Sequence, residues 1–225
     1  MLRPETPVPL KQRLAAQLAK ITGWEDLGFN AEGALIVSDE NPETGSNTAR
    51  ELIKAAEQSN RYVVIEDASG RNDVVFCKVV PGRWSKVPES SDPVYVILVD
   101  FADFTHVIGD KQLLDSFNAG WGLLHEVAHV VDNSIDADEY GELGECETLI
   151  NQMRRECGLA ERGEYFFTYL PNMSHSDFQT RYVRLAFNES SDENGKKKRR
   201  WLMWDATMVG EAVNSQYSIA SKNSQ

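Results

Sequence analysis

The sequence predicts an α+β fold, from three observations. Apolar runs rich in β-branched residues occupy 62–65, 74–77 and 94–99. Two stretches, 119–133 and 143–157, then carry the apolar content expected of buried or amphipathic helices. Two more strand-like runs, 182–187 and 201–204, follow. Strands come first, helices next, and strands again.

Taken in order, Leu10, Leu14, Leu18 and Ile21 recur at helical spacing and define a helix over 9–22. The segment 28–46 is turn-rich, with a short apolar run at 34–37. Ser46 or Asn47 opens a second helix that carries Ala49, Leu52, Ile53 and Ala56 inward. The runs 62–65 and 74–77 are separated by Ser69, Gly70, Arg71 and Asn72, a turn sequence, so a hairpin is expected there. The run 94–99 is a third strand. Residues 111–118 lead into the helix of 119–133, which Asp132, Asn133 and Ser134 end. The next helix places Leu143, Cys146, Ile150, Met153 and Cys157 on one stripe, and Gly158 stops it. The charged link 188–200 joins the last two strands, and its basic run 196–200 balances a charged hairpin loop. Residues 214–225 read as a tail.

A length of 225 residues suits one domain. Its expected parts are a subdomain over about 23–133, which holds the first strands and helix, and a second over about 134–213. The net charge of −12 argues against a nucleic-acid partner, because phosphates require a basic footprint. No run is long enough to span a membrane, and the proline-rich N-terminus is not a secretory signal. Three cysteines, Cys77, Cys146 and Cys157, make no disulfide framework. The expected location is the cytoplasm of the producing cell, or outside it after export without a cleaved signal peptide.

Residues 125–129 read His125-Glu126-Val127-Ala128-His129 within an otherwise apolar or glycine-rich stretch. On a helix, residues four apart share a face, so the two imidazoles can grip one metal ion. Glu126 is offset by one position, where a carboxylate can work on a water held by that metal. Burying three such groups without partners is expensive, and a cation removes the cost. These two histidines are half of the four in the chain.

A hydrolytic zinc site needs a third protein ligand. Glu147 is the preferred candidate, because it flanks the apolar stripe of the following helix and Asn151 lies one turn on, placed to orient it. His106 and His175 lie in less regular segments. Glu145 points nearer to solvent, and Asp136, Asp138, Glu139 and Glu142 in the connecting loop are further alternatives. Cys146 is assigned chiefly to packing, with zinc ligation as a minor alternative.

The motif at 125–129, followed by Glu147, resembles the zincin metallopeptidases of the glutamate-ligand branch. Glu147 with Asn151 four residues later is similar to that branch's pattern of a ligand glutamate followed by Asp or Asn. The stretch 151–159 with Arg162 and Tyr165 is similar to segments of bacterial effector and Rhs-toxin-type metallopeptidases, over roughly residues 94–165. The resemblance implies a zincin-like fold: a small mixed sheet beside an active-site helix, with a mainly helical second subdomain closing the cleft. It also implies that strand 94–99 is the sheet edge that pairs with an extended peptide.

The expected chemistry is zinc-dependent peptide hydrolysis. His125, His129 and Glu147 hold Zn2+, and Glu126 is the general base. Tyr165, Tyr169, His175 and Arg162 are candidate donors to the oxyanion, with Tyr165 preferred. Asp132 is placed to accept a hydrogen bond from His129. The expected partner is a protein or peptide substrate. A zinc-binding interaction module without turnover is the main competitor, and a hydrolase for a non-peptide carbonyl is another.

Overall fold

A computed structural model describes residues 1–83, 93–170, 181–189 and 198–210. Helix α1, Val8–Thr22, is followed by the two-residue strands β1, Gly28–Phe29, and β2, Leu35–Ile36, which pair antiparallel. Helix α2, Asn47–Gln58, begins at Ser46, whose side chain accepts the Ala49 amide as an N-cap. Strands β3, Tyr62–Asp67, β4, Cys77–Gly82, and β5, Val94–Val99, form a mixed sheet in the order β3-β5-β4. Among described residues no helix is long and apolar enough to cross a membrane.

Two expectations about this sheet change. The hairpin of 62–65 with 74–77 does not form; β3 pairs parallel with β5, and β4 pairs antiparallel with β5 on its other side. Phe76 has φ 61° and its amide donates to Asp103 Oδ2 at 2.8 Å, which ends the run 74–76 before a strand can start. The strand begins at Cys77 and includes Pro81, tolerated because β4 is an edge. The expected edge strand 94–99 is the central strand instead. Both its faces are buried, with Ile97 and Val99 in one core and Val96 and Leu98 in another, which explains its unbroken apolar run. The far side of β3 is taken by the N-terminus: Ile65 donates to Met1 O, and Arg3 donates to Ile65 O.

Short helices α3, Asp103–His106, and α4, Lys111–Leu114, lead to α5, Ala119–Asp132. The last two are separate helices, because Asn118 caps the Gly120 amide at 3.0 Å and starts α5 afresh. Helix α5 is buried almost all round, between α1 and α2 on one side and the sheet on the other. Arg61 donates to the carbonyls of Val130 and Val131 at its C-terminus. Asn133, in the left-handed region at φ 54°, turns the chain back. Helix α6, Gly144–Glu156, packs on α5 through Cys146, Ile150 and Met153.

After α6 the described chain is antiparallel sheet, not the mainly helical subdomain expected. Strand β8, Tyr182–Asn188, pairs along its length with β9, Arg199–Asp205, and at its two ends with β6, Glu161–Arg162, and β7, Thr168–Tyr169. Alternate residues Val183, Leu185 and Phe187 face Leu202 and Trp204 in a third core. Arg199 and Arg200 of the basic run pair with Glu164 and Glu189. Lys196 and Lys197, and the expected tail, lie outside the described residues.

The loop 133–143 is pinned at Gly144, where φ is 73° and a Cβ would lie 2.4 Å from the Ala137 nitrogen and 2.6 Å from the Asp136 carbonyl carbon. Replacing Gly144 by alanine is expected to cost about 2 kcal/mol or more, left-handed strain plus collision. Gly141→Ala, at φ 88° with nothing within 4 Å, is expected to cost about 1 kcal/mol. Urea denaturation measures both. Equal losses would mean that the contact at Asp136 is not tight.

Candidate metal centre

Helix α5 brings His125 and His129 onto one face, with ring centroids 5.0 Å apart. Both rings present Nε2 to the same carboxylate: His125 Nε2 lies 2.9 Å from Asp136 Oδ1, and His129 Nε2 lies 3.3 Å from Asp136 Oδ2. Both Nδ1 atoms face oxygen acceptors on the other side. His129 Nδ1 is 2.7 Å from the Ser134 carbonyl, and His125 Nδ1 is 3.6 Å from Glu147 Oε2. The Ser134 carbonyl suits a proton on His129 Nδ1, which would free its Nε2 to ligate; Glu147 faces the Nδ1 side of His125 beyond hydrogen-bond distance.

The third group at that point is Asp136, a loop alternative, and not the preferred Glu147. Glu147 is 1% exposed and its carboxylate is gripped by Arg154 and by Arg162, the latter at 2.8 Å. Burial alone would raise its pKa, but the two guanidinium groups and His125 hold it well below the usual carboxylate range. Asn151 does not orient Glu147. Its Oδ1 accepts Arg154 at 2.9 Å and the Arg162 amide at 2.7 Å, so it orients the arginines. Glu147 therefore lies behind His125, 3.6 Å from its Nδ1, where a carboxylate would steady the ring if that imidazole ligated a metal.

Tyr165 is in the site. Its hydroxyl donates to Asp136 Oδ2 at 2.6 Å and its ring stacks near that of His125, with centroids 6.0 Å apart. Burial and Asp136 push the phenol pKa up, so the hydroxyl keeps its proton. Arg162 is spent on Glu147 and on the carbonyls of Glu164 and Tyr165. Tyr169 belongs to β7, and His106 Nδ1 lies 2.8 Å from the Met208 carbonyl. His175 lies outside the described residues. Glu145 accepts the Ile135 amide at 3.1 Å. The carbonyl of Ser134 holds the position foreseen for Asp132.

Glu126 lies one residue along α5, 8% exposed, and its Oε2 accepts the amide of Val79 at 2.9 Å. That amide belongs to β4, so the sheet edge fixes the carboxylate. Burial raises its pKa, which His125 and His129 partly offset, and this increases its basicity. A scan against protein-family models, and searches of curated proteins and of solved structures, find no match to this chain.

The donor set suits a zinc ion. Ligating atoms of His125, His129, Asp136 and Cys146 all lie within 4.8 Å of one another. Atoms held about 2.0–2.1 Å from zinc in a tetrahedron stand about 3.3 Å apart, close to the two Nε2–carboxylate distances. Two imidazoles and one carboxylate are a hydrolytic ligand set with an open position. Cys146 Sγ is 3.4 and 3.7 Å from the two nitrogens of His129. Burial and the surrounding carboxylates push its thiol pKa far up, so it is a neutral packing group in the metal-free protein.

Without metal, burial opposes the charge on His125, but Asp136 and Glu147 outweigh it and push its pKa from 6.5 up to about 9. A raised folded-state pKa stabilises fully below the unfolded value and is lost as pH passes the folded value. The chelator-treated protein is therefore expected to lose thermal stability between pH 6.5 and about 9. Asp136→Asn is expected to flatten that slope. Thermal melts across this range test both, and an unchanged slope in Asp136→Asn would separate His125 from Asp136.

Proposed function

We propose that this protein is a zinc-dependent metallopeptidase of zincin-like architecture, with His125, His129 and Asp136 as zinc ligands and Glu126 as general base. The observation that carries this reading is the convergence of two Nε2 atoms on one carboxylate, with the Ser134 carbonyl anchoring the opposite nitrogen of His129. Three hydrogen-bond acceptors facing one point are unfavourable unless a cation or protons sit among them.

When bound, zinc supplies a Lewis acid that polarises a carbonyl and acidifies water. Glu126 takes the proton from the attacking water and delivers it to the leaving amine. The Val79 amide holds one of its oxygens and leaves the other for that work. Tyr165 positions Asp136 through its hydroxyl. The outer edge of β4 beside Glu126 offers a peptide only carbonyl acceptors, because Val79 gives its amide to Glu126, Cys77 donates to the Val75 carbonyl and Pro81 has no N–H. The effector or toxin role belongs to the resemblance over residues 94–165.

A second reading, a closed structural zinc site in a non-catalytic module, is favoured by the fourth donor, Cys146, within the same cluster. Metal content of purified variants separates the two. In the hydrolase, Asp136→Ala abolishes stoichiometric zinc, Cys146→Ser retains it, and Glu147→Gln, which frees Arg154, Arg162 and the back of His125, weakens it without abolishing it. Loss of zinc in Cys146→Ser would indicate the closed site. Loss in Glu147→Gln with retention in Asp136→Ala would restore Glu147 as ligand.

Glu126→Gln is expected to keep its zinc while peptide cleavage falls about 100- to 10,000-fold. Undiminished metal-dependent cleavage would remove Glu126 from the mechanism. Tyr165→Phe is expected to weaken zinc binding about tenfold or more. A group acting only on the oxyanion would leave metal affinity unchanged.

A further inference from the structure

Away from the metal ligands, a cavity of about 680 Å³ lies between α1 and the segment that carries α3 and α4. Arg13, Ala16, Gln17 and Lys20 recur at the spacing that puts them on one face of α1, and Lys111, Leu114 and Asp115 do the same on the opposite side. Phe104, Phe117 and Trp121 line this cavity and also the one beside His125 and Glu126, so the two spaces share an aromatic wall. Phe104, Leu114, Phe117 and Leu159 are only partly buried and keep apolar surface open to the cavity.

The charges of its lining run against the composition of the chain. With 35 acidic residues to 23 basic ones, cations have carboxylates in excess. Here Arg13, Lys20 and Lys111 surround one carboxylate, Asp115. Lys20 pairs with it at 2.9 Å. Among the described residues Arg13 and Lys111 have no carboxylate partner. Arg13 Nη2 donates to the Phe101 carbonyl at 2.9 Å, and its Nη1 is left open. Gln17 adds a donor, since its Oε1 accepts the Gly120 amide at 3.1 Å and its Nε2 is left over. Lys20 and Lys111 are exposed, so the cations stand at the mouth, above apolar walls.

A cavity in the range of about 300–1,000 Å³ suits a small molecule. A bare inorganic anion would leave the apolar surface in water. A neutral hydrocarbon would gain nothing from the two unpaired cations. An apolar body with an anionic head complements both.

We propose that this cavity binds a small amphipathic anion, with a carboxylate or phosphate head drawn by Arg13 and Lys111 and a body packed on Phe104, Leu114 and Phe117. The site uses none of the metal ligands and stands whether or not the chain is a hydrolase.

Calorimetry on the full-length protein, zinc-loaded and chelator-treated, measures binding of octanoate, octyl phosphate, octanol, octylammonium and acetate. Octanoate or octyl phosphate is expected to bind at one site per chain, at least about tenfold more tightly than octanol or octylammonium and at least about a hundredfold more tightly than acetate. The tighter of the two anions identifies the head. Both forms of the protein are expected to bind alike, whereas a head group held by the metal would bind the zinc-loaded form alone. Lys111→Ala is expected to weaken the anion about two- to fivefold and Arg13→Gln about tenfold, with octanol unchanged. Ala16→Phe, at an exposed position of α1, fills the space and is expected to abolish binding while the thermal melt stays in place.

Equal affinity for anion, alcohol and ammonium overturns the role of the cations. Anion binding untouched by Arg13→Gln, Lys111→Ala and Ala16→Phe, or confined to the zinc-loaded form, puts the ligand elsewhere and overturns the site. Absence of saturable binding by either anion overturns the proposal as a whole.

Discussion

The buried carboxylate of Glu147 is the constraint on which the site's assembly depends. It holds Arg154 of its own helix and Arg162 of the following strand, and lies behind the Nδ1 side of His125 on the neighbouring helix. Arg162 in turn grips the backbone of Tyr165, and Tyr165 bonds Asp136. One charge thus lies behind an imidazole and, through two further residues, fixes the position of the carboxylate opposite it. Its desolvation is costly, and removing either partner of such a pair leaves an uncompensated charge in the interior. Arg154, 2% exposed, is further held by the Ser116 carbonyl and lies over the ring of Trp121 at 5.3 Å.

The rest of the architecture is built around a helix that cannot be solvated on any side. Helix α5 buries its apolar residues against α1, α2 and the sheet, so its few polar side chains must find partners inside. Glu126 finds the amide of an edge strand. The two histidines find a loop that returns only because Asn133 and Gly144 take positive φ. Such a frame holds the two imidazoles and the Asp136 carboxylate within the narrow tolerance that the proposed metal site would demand.

Much of this was legible in the sequence. Helical spacing located α1, α2, α5 and α6, and strand-like runs located β8 and β9, because these signals arise within a few residues of one another. Strand β4 was missed because Pro81 and Gly82 argue against a strand, and only its edge position makes them acceptable. Asp136 was one acidic loop residue among several. The left-handed stop at Asn133 was the available signal, since it turns the chain so that the next carboxylate falls back on the last helical turn. Glu147 looked like a ligand because it lies on the correct face of the correct helix, and the arginines that claim it come later in the chain.

What the sequence determined by itself was the pair of imidazoles with a carboxylate between them in register, since a helical repeat is local and obliges residues four apart to share a face. What only the tertiary structure decided was which of 35 acidic residues meets those imidazoles, which one is neutralised behind them, and which aromatic rings enclose the space alongside. Those choices depend on contacts between segments far apart in the chain, where burial, charge pairing and the handedness of a turn select one partner among chemically equal candidates.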